Sequence, residues 1–168
     1  LHIFEPDWAR SIHIVAFTLI GFGILLGVAD KIGITQRKVE DMTMRDAMMV
    51  GLAQMLALIP GVSRSGITMT AARFLGFSRV EAARFSFFMA IIAMSGAGAL
   101  GVLDLIENPS AGLIRDFILG IGFSCAAAMG TIHFLMQWLQ RASFMVFVWY
   151  RVGLGALLLV LLHLGMIG

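Results

Sequence analysis

The chain has 168 residues, of which 60% are hydrophobic and 13% charged, and its mean hydropathy is +0.94. Soluble domains contain roughly 45–50% apolar residues, so a water-soluble core could not bury this much apolar surface. The formal net charge of +2 is small, which argues against a nucleic-acid partner. The composition therefore predicts an all-α polytopic membrane protein, with the lipid bilayer as its surroundings.

The first predicted transmembrane helix covers about 12–29. Within it Gly23 and Gly27 stand four residues apart, which gives a small-residue face for close packing against another helix. A charged loop follows. Thr43, with Asp46 three residues later, has the pattern of a capping box that starts the next helix.

A re-entrant helical hairpin is predicted over 43–76. Its first apolar run, 47–59, rises only about 20 Å, whereas the hydrocarbon core of a bilayer is about 30 Å thick. Pro60 and Gly61 end this run, because proline supplies no amide hydrogen and glycine tolerates unusual backbone angles. A second short apolar run, 67–75, can return the chain to the side from which it entered.

Three more transmembrane helices are predicted over about 79–103, 113–140 and 144–164, with a turn at 108–110. In the first of them the small residues 95–98 let another backbone approach, so we expect that helix to cross the hairpin there. Direct binding of lipid at these residues is the alternative.

Three arginines near these helices are interpreted as structural. Arg73 and Arg84 are expected to lie at the membrane interface. Arg151, about two turns into the last helix, could reach the interface or point inward to an acidic partner. We expect a structural charge pair.

Basic residues are unevenly divided between the two predicted sides of the membrane. One side carries Lys31, Arg37, Lys38, Arg45, Arg79 and Arg141, and the other carries Arg10 and Arg115. The first side is predicted to be cytoplasmic, because short cytoplasmic loops carry an excess of lysine and arginine. The hairpin would then enter from the cytoplasm and the C-terminus would lie outside.

The hairpin tip carries the candidate site. Residues 61–68 offer one guanidinium, three hydroxyls and glycine-flanked amides at the start of the second half-helix. A helix N-terminus favours an anion, and arginine binds phosphate oxygens through two parallel hydrogen bonds. Phosphate is therefore the expected ligand of Arg64. The alternative is an interfacial arginine beside serines that serve only helix packing.

The segment LALIPGVSRSGITMT, residues 56–70, resembles the second signature of the undecaprenyl-diphosphate phosphatase family, the bacitracin-resistance membrane phosphatases, whose motif is PG-x-SRSG. Residues 81–87 and 150–151 also resemble that family. The resemblance implies hydrolysis of undecaprenyl diphosphate to undecaprenyl phosphate and inorganic phosphate in the bacterial inner membrane. That reaction recycles the lipid carrier of peptidoglycan synthesis and confers resistance to bacitracin.

The same resemblance implies an inverted-repeat fold of which this chain holds one half. The chain has no E-x-x-x-E pair and begins with Leu1, so we expect a C-terminal portion that lacks the N-terminal repeat and is inactive alone. A divalent cation, Mg²⁺ or Ca²⁺, is implied, with its ligands in the missing part and none in this chain. A homodimer is one option for the assembly.

Six residues are assigned to the site. Arg64 is expected to stabilise the transition state, Ser63, Ser65 and Thr68 to orient oxygens, and Gly61 and Gly66 to admit the backbone. Ser63 or Ser65 could instead act as a nucleophile, but the sequence shows no neighbouring base. Two other classes stay open: a polyprenyl-phosphate carrier or flippase without hydrolysis, and a membrane subunit whose hairpin serves packing only.

Overall fold

A computed structural model describes residues 11–33, 37–107 and 111–166. These ranges form α1 (Ile12–Ile32), α2 (Met44–Met55), α3 (Arg64–Phe74), α4 (Arg79–Glu107), α5 (Ala111–Leu139) and α6 (Met145–His163), with 3-10 turns at Val39–Asp41 and Leu56–Leu58. α1, α4, α5 and α6 are long and apolar enough to cross a membrane. The predicted all-helical fold, with four helices able to span a membrane, is confirmed for the described residues. The turn predicted at 108–110 lies outside them.

α1 and α6 pack closely along their lengths, because glycines remove side-chain bulk at the contact. A Cβ added to Gly27 would lie 3.4 Å from Val148, and one added to Gly155 would lie 2.8 Å from the Ala16 carbonyl oxygen. Gly23 and Gly27 are both buried. The predicted small-residue face is therefore confirmed, and it brings the first two turns of α6 beside the middle of α1.

α2 and α3 form a helical hairpin. Thr43 Oγ1 accepts from the Asp46 amide at 3.2 Å, and the Asp46 carboxylate accepts from the Thr43 amide at 3.0 Å. This is the predicted capping box, and it fixes the start of α2. α3 has 11 residues, a rise of about 16 Å, and packs between α1 and α4 with its N-terminus at the hairpin tip.

Asp30 joins four helices at the opposite end of α3. Its carboxylate, only 2% exposed, accepts from Arg79 Nε at 2.7 Å and Arg79 Nη2 at 3.2 Å. It also accepts from the Phe144 amide at 3.2 Å and lies 3.5 Å from Arg73 Nε. One carboxylate thus holds the ends of α1, α3, α4 and α6 together.

Arg73 is buried rather than interfacial, so that prediction is wrong. Its guanidinium donates to the Phe77 carbonyl at 2.6 Å and to the carbonyls of Asp30 and Gly33. The chain folds back at Phe77 and covers the side chain, a contact that an isolated apolar run does not reveal. The Arg84 side chain is half-exposed, and its Nη1 lies 3.5 Å from Glu81 Oε1.

The expected helix crossing at residues 95–98 is absent from the described part of the chain. A Cβ added to Gly96 or Gly98 would meet no heavy atom within 4 Å. The reason is the shortness of α3, whose N-terminus ends opposite Ser86 and Phe87. α4 therefore extends beyond the hairpin tip. α5 runs beside α4, and the last turns of α5 also contact α6, where the Trp138 and Phe147 rings meet edge to face.

Candidate active site

The turn between α2 and α3 has an unusual backbone. Gly61 has a φ of +87° and Ser63 a φ of +68°, and among the described residues no other non-glycine residue has a positive φ. Ser63 caps α3, because its Oγ accepts from the Gly66 amide at 3.2 Å. A serine held in this region costs about 1–3 kcal/mol, and such strain is concentrated at ligand-binding and catalytic sites.

α1 supports one side of the turn. Thr18 Oγ1 lies 2.6 Å from the Pro60 carbonyl oxygen. A Cβ on Gly61 would overlap Thr18 Oγ1 and would approach the Val15 carbonyl oxygen to 2.7 Å. Gly61 is therefore required by the close packing of the turn on α1 as well as by its own backbone angle.

Arg151 of α6 supports the other side. Its Nη2 donates to the Gly61 carbonyl at 2.9 Å and to the Val62 carbonyl at 2.7 Å. Among the described residues no carboxylate forms an ion pair with it, and the expected structural charge pair stays a prediction. The residue lies where α6 passes the hairpin tip, and the nearest acceptors there are backbone carbonyls.

Arg151 lies at one end of an apolar cavity of about 290 Å³. Ser63, Ser65 and Gly66 also line it, and the two serine Oγ atoms are 3.4 Å apart. The other walls are almost entirely apolar: Leu19, Leu26, Met69, Phe87, Leu135, Phe144, Phe147 and Tyr150. The cavity therefore joins a polar end, at the N-terminus of α3, to a hydrophobic interior.

Arg64 faces a second and larger cavity, of about 900 Å³, between α4 and α5. Ser65, Ser86 and Ser95 contribute polar groups to its walls. Ser65 lines both cavities, so the two open on either side of the same helical turn. The fold thus brings Ser63, Arg64, Ser65 and Gly66 together at the positive end of the α3 dipole, where an anion is favoured.

Comparison with known proteins agrees with this geometry. Residues 2–157 match the sequence profile of the family described as bacitracin resistance protein BacA. The chain belongs to this family.

Curated BacA-like relatives carry the name undecaprenyl-diphosphatase. The chain is 51% identical over 160 residues to the one from Erythrobacter litoralis, covering 94% of this chain and 56% of the relative. It is 43% identical over 164 residues to undecaprenyl-diphosphatase 1 of Rhodospirillum rubrum, covering 98% and 58%. It is 46% identical over 144 residues to that of Geobacter metallireducens, covering 85% and 54%. The chain therefore spans little more than half the length of these relatives.

Two of the six predicted site residues do not line either cavity. Thr68 is 1% exposed, and its Oγ1 lies 2.8 Å from Ser86 Oγ and 3.0 Å from the Arg64 carbonyl oxygen. It therefore links α3 to α4 beneath the site. Gly61 faces α1. Direct contact of either residue with substrate stays a prediction.

Arg151 contacts the hairpin turn, a role that the sequence analysis did not assign to it. The signal was present, because a charged residue two turns inside an apolar helix usually faces a functional interior. The Tyr150–Arg151 pair also belongs to a segment that resembles the BacA family. The sequence did not show which groups Arg151 contacts, because the carbonyls that accept its hydrogen bonds are 89 and 90 residues away along the chain.

The described residues do not fit a metal ion. Nowhere in residues 11–33, 37–107 and 111–166 do three His, Cys, Asp or Glu side chains come together as a metal-binding group. Both arginines and the α3 N-terminus favour anions instead. A divalent cation in the BacA reaction stays a prediction.

Proposed function

We propose that this chain provides the phosphate-binding part of a membrane hydrolase that converts undecaprenyl diphosphate to undecaprenyl phosphate and inorganic phosphate. The observation that carries the proposal is the first turn of α3, where Ser63, Arg64, Ser65 and Gly66 lie between two cavities. The names of the curated relatives supply the substrate class. The product would be the recycled lipid carrier of peptidoglycan synthesis, and the activity would confer resistance to bacitracin.

The chemistry follows from where charge develops. Hydrolysis of a diphosphate moves negative charge onto non-bridging and leaving oxygens, and fixed donors in a water-poor site stabilise that charge. Arg64 is the proposed charged donor, with the free amides of α3 beside it. Ser63 and Ser65 would orient the phosphoryl oxygens, and the apolar cavity would hold the nearest part of the lipid. The attacking water and its base are not assigned to any described residue.

The topology of the hairpin is part of the proposal. Lys31, Arg37, Arg79 and Arg141 lie in segments at the Asp30 end, which the positive-inside rule makes cytoplasmic. α3 rises about 16 Å from that end, close to half of a hydrocarbon core about 30 Å thick. We infer a re-entrant hairpin in the bacterial inner membrane, one half of an inverted repeat, with the C-terminus in the periplasm.

An exchange protein would test the function. In the Erythrobacter litoralis relative, the matching segment is replaced by this chain, and phosphate release from undecaprenyl diphosphate is measured in proteoliposomes. Arg64→Ala should lower turnover a few hundred-fold, since one charged donor at a developing anion contributes about 3–4 kcal/mol. Arg141→Gln, an exposed arginine at the α5–α6 turn, is the matched control and should retain turnover.

Two results would contradict the proposal. One is full turnover by the Arg64→Ala exchange protein. The other is movement of the lipid across the proteoliposome membrane without release of phosphate, which would favour a carrier.

A further inference from the structure

The Arg151 guanidinium is buried, yet most of its hydrogen-bonding capacity is unused. The residue is 6% exposed, and Nη2 alone makes hydrogen bonds, to the two turn carbonyls. Nη1 and Nε have no partner. A guanidinium carries five N–H bonds, so three remain without an acceptor.

An unpaired buried charge is unfavourable unless an anion or polar acceptors accompany it. Beside Arg151, the polar side chains that line the cavity are Ser63, Ser65 and Tyr150, all uncharged, and its other walls are apolar. Among the described residues no carboxylate neutralises the guanidinium. The side chain is therefore arranged to meet a negatively charged group that enters the cavity.

The unused N–H groups lie at the N-terminus of α3. A Cβ added to Gly66 would be 2.5 Å from Arg151 Nη1, so this atom rests directly on the first helical turn. The first amides of an α-helix have no partner within the helix and carry its positive dipole. Two independent features, the helix N-terminus and a buried unpartnered guanidinium, converge at the same end of the cavity.

We propose that Arg151 is a second anion-binding arginine, whose Nη1 and Nε donate to phosphoryl oxygens of a diphosphate headgroup while Nη2 holds the turn. This inference rests on the proposed function and adds a residue to its site. The Val62 carbonyl belongs to the peptide group that precedes Ser63, so the Nη2 contact also restrains the Ser63 φ of +68°. Arg151 therefore positions the Ser63 hydroxyl as well as binding the anion.

Side-chain NMR tests the inference on the unmodified chain. The Nε–H resonances of the arginines are recorded in lipid nanodiscs and titrated with inorganic pyrophosphate and, separately, with farnesyl diphosphate. The Arg151 resonance should move and saturate, because a charge-assisted hydrogen bond forms at Nε. Arg73 is the internal control: its Nε is also buried without a hydrogen bond, but it lies 3.5 Å from Asp30 Oδ1 and its resonance should not move.

A variant gives a second readout by calorimetry. Arg151→Lys keeps the charge but cannot hold two carbonyls and donate to an anion at once, so affinity for farnesyl diphosphate should fall about ten- to a hundred-fold. The exposed Arg141→Lys should bind as the parent chain does. Tighter binding of farnesyl diphosphate than of pyrophosphate would support a lipid headgroup. Equal binding would overturn that assignment in favour of a free anion.

The outcomes separate this inference from the proposed function. A saturable shift at Arg64 with none at Arg151 would overturn the role of Arg151 and leave the phosphate site intact. Absence of any binding by either probe would overturn both.

Discussion

Thr18 Oγ1 lies 2.6 Å from the carbonyl oxygen of Pro60, which joins the middle of α1 to the tip of the helical hairpin. Arg151 holds the next two carbonyls of the same turn from α6. α1 and α6 are also closely packed against each other. The turn between α2 and α3 is therefore contacted on both sides by the same pair of helices. The geometry of the candidate site is therefore set by α1 and α6 rather than by the hairpin alone.

Gly61→Ala should destabilise the protein strongly. The φ of +87° would strain any L side chain by about 1–2 kcal/mol, and the new Cβ would also meet backbone atoms of Val15, which cannot rotate away. Overpacking of this kind adds about 1–3 kcal/mol. The combined loss from strain and overpacking is measured as the difference in free energy of unfolding between the parent chain and the variant in detergent titrations.

Gly165→Ala is the matched control for that experiment. Gly165 has a φ of +66°, and an added Cβ would have no heavy atom within 4 Å. The alanine variant therefore has the backbone strain of a positive φ but no steric overlap with a neighbouring residue. Equal losses of stability in the two variants would show that the turn does not pack on α1 as described.

Gly66→Ala should weaken diphosphate binding without unfolding the protein. The added methyl would lie 2.5 Å from Arg151 Nη1 and would displace the guanidinium, while alanine favours the helix over glycine by about 1 kcal/mol. We expect roughly ten-fold weaker binding of farnesyl diphosphate by calorimetry, equivalent to about 1.4 kcal/mol. Gly122→Ala, with open space around it on α5, should leave the affinity unchanged.

Asp30→Asn should be among the most destabilising substitutions outside the site. Removing one partner of a buried ion pair leaves the other charge uncompensated, at a cost of about 3–5 kcal/mol. Asp116→Asn is the control, because the Arg115–Asp116 pair has side chains 73% and 67% exposed. Exposed pairs of this kind contribute about 0–1 kcal/mol. Similar unfolding free energies for the two variants would contradict the four-helix role of Asp30.

The contact between Asp46 and Arg37 should make the stability of the folded protein depend on pH in the acid range. Arg37 Nη2 lies 2.7 Å from Asp46 Oδ2, and this hydrogen bond, with that from the Thr43 amide, lowers the pKa of Asp46 from 3.8 to about 2. Because the folded-state pKa is the lower one, the stabilisation is present above pH 3.8 and is lost as the pH falls towards about 2.

Asp46→Asn measures this contribution. The difference in melting temperature between the parent chain and the variant should be constant above about pH 5 and shrink on acidification. A difference that grows as the pH falls would have the opposite sign and would exclude the lowered pKa.

The sequence was sufficient to locate the helices. The bilayer demands about 20 apolar residues for each span, so the predicted spans 79–103 and 144–164 lie close to the helices Arg79–Glu107 and Met145–His163. The Thr43–Asp46 capping box and the Gly23–Gly27 face were equally readable, because each depends on residues three or four positions apart.

Contacts over long sequence separations were not predictable. Asp30 meets Arg79 and Phe144 across 49 and 114 residues, and no local pattern reports either distance. Arg73 was misplaced for the same reason. The positive φ of Ser63 was also hidden, because serine ordinarily avoids that region, and the contacts that accompany it include the hydrogen bond from Arg151, 89 residues away, to the Val62 carbonyl.

The Asp30 network also has a consequence for biosynthesis. When α1 leaves the ribosome, its carboxylate precedes its arginine partners by more than 40 residues and the Phe144 amide by 114. The carboxylate therefore has no arginine partner until α3 and the start of α4 have been synthesised, and the Phe144 amide follows only after α5. Closure of this end of the bundle is a late step, completed only when α6 has been synthesised.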